Sequence, residues 1–191
     1  MALSVIQPAF VRFGDEAAII GRLLGGYALL ELDLLNCVAM ATQDFDTTLK
    51  EMFGRRGETR RIDKAAKLGH RPYEAEGLKE EFEAAIDAIR HCLKMRNQYA
   101  HHHFYDNNSG KLALVNLEEN AKSSHRVTDL KNLTTLYVDV PTLRAQEEYW
   151  HLTDRLIIWL NYERRFRISE IKQILAWGKP TLPPKPVLHL L

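Results

Sequence analysis

Residues 78–103 read LKEEFEAAIDAIRHCLKMRNQYAHHH. The apolar positions Leu78, Phe82, Ala85 or Ile86, Ile89, and Cys92 or Leu93 recur at the three-four alternation of an α-helix that buries one face. One turn further the stripe reaches Arg96, then Tyr99 or Ala100. A guanidinium thus falls where the pattern asks for an apolar side chain, and a desolvated charge is costly unless it is partnered. The spacing predicts a long helix that starts after Pro72 and runs to about His101, and so a mainly α fold.

Outward from this helix the same periodicity repeats. A first helix is expected from near Asp15, which can cap it, to about Ala41. Within it Ala17, Gly21 and Gly25 recur every four residues, a small-residue stripe that predicts close approach of another helix. A helix over about Asp46 to Phe53 follows, then a turn at Gly54 to Gly57, then a helix from about Glu58 that ends at Gly69. Beyond the long helix, residues 106–110 (DNNSG) are turn formers, and Lys111 to Leu117 and Leu133 to Val140 alternate as strands. A small β insertion over about 104–140 therefore interrupts the helices. Pro141 suits the first turn of a last long helix striped by Tyr149, Leu152, Leu156 and Trp159. A further helical segment is expected near Ser169. Residues 1–177 read as one domain and 178–191, with four prolines, as an extended tail.

The chain has 191 residues, with 26 Lys and Arg against 25 Asp and Glu, for a net charge of +1. At this length a domain buries roughly 70% of its unfolded surface and forms a core without disulfide or metal staples. Near-neutral charge excludes the bulk polycation that binds any nucleic acid. The sum conceals a basic block from Lys50 to Arg71 and an acidic one from Glu74 to Asp87. Cys37 and Cys92 each lie in an apolar helical pattern, as buried free thiols of a cytoplasmic protein do. No export signal is read, and Arg22, Glu31 and Asp33 make the apolar stretch Ala17 to Ala41 a poor membrane span.

The chemistry-bearing residues cluster at Arg96, Asn97, His101, His102 and His103. On a helix Asn97 and His101 are one turn apart, about 40° around the axis, so the amide can orient the imidazole. Arg96 and His101 differ by about 140°, too far to grip one small group from a single helix, whereas a twofold dimer brings two of each around one cleft. His103, extrapolated along the same helix, lies within about 20° of Arg96. Imidazoles that transfer protons near neutral pH, with a guanidinium that matches phosphate oxygens, are what metal-free RNA cleavage needs. Two other readings of the same residues stand beside it. Arg96 can be a packing residue paired with Asp87 or Asp154, and the histidines can simply complement a helix end. A metal site from His91, His101, His102 and His103 is disfavoured, since adjacent histidines point apart on a helix. No P-loop, nucleophile elbow or dinucleotide fingerprint occurs.

At Arg96-Asn97 and His101 the sequence resembles the HEPN superfamily, whose pattern is Arg, a polar residue and a His after a gap of four to six positions; His102 and His103 fit the two longer gaps. The resemblance implies a helical bundle and a homodimeric, metal-independent endoribonuclease that leaves a 2′,3′-cyclic phosphate. It implies catalytic roles for Arg96, Asn97 and His101, with His102 and His103 as alternates. Tyr99 and Tyr105 are expected to contact substrate. No cofactor, metal or membrane is expected. RNA, a second copy and an antitoxin or other protein are the expected partners, in a toxin-antitoxin, defence or stress setting. The alternative is a non-catalytic HEPN-like module that binds RNA or a protein. A Tyr two positions after the His, as in one subgroup, is met by Tyr105 only from His103.

Overall fold

The computed structural model describes residues 7–123 and 126–191. The first six residues and the centre of the polar stretch before the last long helix lie outside them. The order is α1 (Ala9–Arg12), α2 (Gly14–Thr42), α3 (Phe45–Phe53), α4 (Glu58–Ala75), α5 (Lys79–His101), β1 (His103–Tyr105), β2 (Leu112–Val115), α6 (Leu117–Lys122), a 3-10 turn (Leu130–Asn132), β3 (Leu136–Val138) and α7 (Val140–Arg167). The fold is mainly α, 66% helix, with a three-stranded antiparallel sheet before the last long helix. The chain forms two compact units. One takes the residues up to Leu24, then Met95–Glu147 and Pro186–Leu191; the other takes Gly25–Lys94 and Glu148–Lys185.

The first unit is built on the sheet. His103, Phe104 and Tyr105 pair with Val115, Leu114 and Ala113, and β2 pairs on its other side with β3, Leu112 opposite Val138. All four residues of β2 are buried, as a central strand covered on both faces should be. Phe10 of α1 packs its ring 5.0 Å from that of Phe104, and Arg12 pairs with Asp106 at 2.8 Å across the predicted turn. Residues 186–191 belong to this unit. Leu190 bridges Tyr137 of β3, so the end of the expected tail extends the sheet edge.

In the second unit the stripe Leu78, Phe82, Ala85, Ile86, Ile89, Cys92 and Leu93 is buried, and so are Tyr149, Leu156 and Trp159. Both cysteines are buried free thiols, and burial pushes each up to about 12. Glu31 receives both 2.9 and 3.0 Å bonds from Arg61. Carboxylates also meet Lys50, Lys64, Lys79, Lys179 and Lys185, so much of the segregated charge is neutralised within the unit. Helix α2 is long and apolar enough to cross a membrane by length and composition, yet half of its most apolar window is inside the protein.

Four local expectations are overturned. Gly69 does not end a helix: α4 continues through it and through Pro72 to Ala75. The missing side chain makes room for the Phe82 ring, which an added Cβ would overlap and which stacks on Tyr73 at 4.5 Å. The stop comes at Gly77, φ +67°, where Leu78 N–H donates to Tyr73 O and Gly77 N–H to Glu74 O, the Schellman arrangement. Helix α5 starts at Lys79, beyond Pro72, which lies inside α4. Ser169 ends α7 in the same way, at φ +59° with Glu170 N–H donating to Arg165 O and Ser169 N–H to Phe166 O, and no helix follows it. The stripe Ala17, Gly21, Gly25 does not receive a helix: Gly21 and Gly25 are exposed, and a Cβ on either would meet nothing within 4 Å. Asp15 lies in the first turn of α2, where it complements the helix dipole.

Glycine thus has opposite meanings at two helical positions. Gly21→Ala should stabilise by about 0.5–1 kcal/mol, since helix propensity acts alone. Gly69→Ala should destabilise by about 1–3 kcal/mol, because overlap with a buried ring outweighs propensity. Urea denaturation of both variants measures this. Asp154 stands beside Asp33; burial and then its neighbour raise its carboxyl from 3.8 to about 6. The folded protein therefore keeps a proton that the unfolded chain releases, and stability falls as pH rises from about 4 to about 6. Asp154→Asn should be the more stable protein above that window, by roughly 1–2 kcal/mol after discounting partial exposure, and nearly equal below it. Thermal melts at several pH values read the difference.

Candidate functional site

All residues of the Arg-Asn-His motif lie in the first unit, where α5 gives way to the sheet. The helix ends at His101, His102 lies at the junction and His103 is the first residue of β1. Three consecutive imidazoles therefore occupy three environments. His101 is exposed on the last helical turn. His103 is exposed on a strand, so its expected alignment with Arg96, which requires a continuing helix, does not hold. His102 is half-buried, and both ring nitrogens are enclosed short of full hydrogen-bond geometry. Burial lowers its basicity, opposed by the nearby Gln98 backbone and Glu119 and reinforced by His189 and His101.

Arg96 and Asn97 are half-buried neighbours. The Arg96 Nη1 donates to Asn97 Oδ1 at 3.0 Å. The amide that was expected to orient His101 holds the guanidinium instead, and nothing joins it to His101. Asp87 pairs with Lys185, and Asp154 stands beside Asp33. His91 packs edge-on against Tyr149 in the second unit. Among the described residues no group of three or more His, Cys, Asp and Glu is arranged to hold a metal ion.

The two tyrosines diverge. Tyr99 is 2% exposed, and its hydroxyl donates to Gln146 Oε1 at 2.5 Å. It is a core residue, and the expected substrate contact has no open surface there. Burial pushes its phenol above the usual range. Tyr105 is half-buried on β1 with its hydroxyl bonded to Thr135.

Sequence reasoning passed over Gln98, Glu119, Gln146 and His189, which the structure gathers around the end of α5. Gln98 Nε2 donates to Leu188 O at 2.7 Å, and its Oε1 lies 3.2 Å from His189 Nδ1. Gln146 Nε2 donates to Val187 O and Leu188 O at 2.8 and 3.0 Å. The one sequence signal was the short alternation Val187-Leu188-His189-Leu190 inside the Pro-rich segment, which pairs as a strand residue does at Leu190. Beside Glu119 lies a cavity of about 120 Å³ lined by Asn116, Glu119, Asn120, Ser123, Thr134 and Leu136. Compared with known proteins, the chain matches no family model, no curated protein and no solved structure.

Tyr99→Phe leaves the buried Gln146 Oε1 without a donor, which should cost about 1–3 kcal/mol of stability. RNA binding, followed by fluorescence anisotropy, should not change in that variant. A loss of binding with intact stability would return Tyr99 to the substrate surface.

Proposed function

We propose that this protein is a metal-independent endoribonuclease of HEPN type that acts as a homodimer, in the toxin-antitoxin or defence setting that the resemblance implies. The observation that carries the reading is the Arg96 guanidinium, held at 3.0 Å by the adjacent Asn97, on the same helix whose last exposed turn carries His101. A guanidinium with one edge fixed by an amide is pre-oriented for a phosphate, which lowers the ordering cost of each bond it makes. Asn97 is in this reading a positioning residue for Arg96.

The reaction needs no metal because side chains supply each requirement. A neutral imidazole takes the proton from the ribose 2′-hydroxyl, and O2′ attacks the adjacent phosphorus. The P–O5′ bond breaks as an imidazolium protonates O5′, leaving a 2′,3′-cyclic phosphate and a 5′-hydroxyl. Arg96 stabilises the charge that develops on the phosphorane oxygens. Since Arg96 and His101 lie about 140° apart around α5, a composite cleft takes the arginine of one copy and the histidine of the other.

One observation favours a second reading, a non-catalytic RNA- or protein-binding module. Asn97 spends its acceptor on Arg96, so His101 lacks an orienting partner from the motif. Labelled RNA incubated in chelator separates the two. In the enzyme, His101→Ala lowers cleavage by roughly 10²- to 10⁴-fold and Arg96→Ala by at least about 10²-fold, with the fold intact. Cleavage undiminished in His101→Ala and His103→Ala, or wild-type cleavage lost in chelator, removes this mechanism. Binding without cyclic-phosphate product supports the module.

A further inference from the structure

The segment that carries His189 is pinned on both sides of it. On one side the Val187 and Leu188 carbonyls accept from the Gln146 amide, and Leu188 accepts also from Gln98. On the other side Leu190 exchanges two backbone bonds with Tyr137, at 3.0 and 2.7 Å. Val187 itself is 60% exposed, so polar bonds rather than apolar burial hold this stretch. The outcome is an imidazole of fixed position beside α5.

Its tautomer is fixed as well. A backbone carbonyl only accepts, so the Gln98 nitrogen must be the atom facing Leu188 O, and Oε1 is the atom facing His189. Oε1 also only accepts, hence Nδ1 of His189 carries a proton, and in the neutral ring the lone pair lies on Nε2. A neutral histidine whose Nδ1–H is held by an acceptor is the arrangement that a general base requires. His102, next to the end of α5, senses His189, His101 and Glu119 of α6.

We propose that His189 is a second catalytic histidine of the ribonuclease site, delivered by the Pro-rich segment to the histidine side of α5. This assignment rests on the ribonuclease reading above. Gln98 lies about 60° from His101 around the helix but about 160° from Arg96. The histidine side of one copy therefore receives its phosphate-binding arginine from the second copy. His189 Nε2 takes the 2′-hydroxyl proton as the O2′–P bond forms. The His101 imidazolium gives its proton to O5′ as the P–O5′ bond breaks, and exchange with water restores both rings. Gln98 positions His189 and touches no substrate.

The test uses the full chain and a labelled oligoribonucleotide in chelator, with kcat and KM followed over about pH 5 to 9. His189→Ala should lower kcat by roughly 10²- to 10³-fold, keep KM within about threefold and remove one limb of the pH profile. His189→Gln, which retains an amide donor for Gln98, should be equally impaired, and added imidazole should partly rescue His189→Gly. Normal kcat in His189→Ala and His189→Gln, with cleavage still dependent on Arg96 and His101, overturns this assignment alone. A raised KM at unchanged kcat overturns it also, since that is a binding role. A wild-type chain that forms no cyclic phosphate, or one indifferent to Arg96→Ala and His101→Ala, removes the ribonuclease reading and His189 with it.

Discussion

The geometry around the end of α5 depends on one buried amide. Gln146 is 0% exposed, so every polar atom it carries must find a partner inside the protein. Its oxygen takes the Tyr99 hydroxyl and its nitrogen takes the carbonyls of Val187 and Leu188. Leaving such a group unsatisfied costs about 1–3 kcal/mol. Polar satisfaction of a core glutamine thereby determines where the Pro-rich segment lies, and with it the position of His189.

The same junction sorts the histidine run. While a chain stays helical, adjacent side chains fan out by about 100° and share one solvent environment at a helix end. Here the helix stops at His101 and a strand starts at His103. One imidazole stays on the last helical turn, one is enclosed and depressed, and one goes out along the sheet. Identical residues thus acquire three different surroundings.

The long elements were legible in the sequence because burial imposes a period on them. The stripe from Leu78 to Leu93 and the stripe from Tyr149 to Trp159 fold as helices, and the stretches around Leu112 and Leu136 hold strands, shorter than expected and, at β2, buried throughout. The errors fall on single small residues, whose type alone does not fix what surrounds them. Gly69 looks like a helix stop until the Phe82 ring occupies the space of its absent side chain. Gly21 and Gly25 look like a packing stripe, yet face solvent. Ser169 looks like a helix start, and adopts the left-handed conformation that closes one.

By itself the sequence determined the helical class, the interruption by strands, the burial of both cysteines and the concentration of proton-transfer and phosphate-matching groups between Arg96 and His103. These follow from periodicity and from residue chemistry, which are properties of short windows. Only the tertiary structure decided which groups meet: Asn97 with Arg96 rather than His101, Tyr99 with Gln146 inside the core, and Gln98 with a histidine 91 positions away. Such pairings are selected by the need to satisfy buried polar atoms once the core has closed, and no local pattern encodes that need.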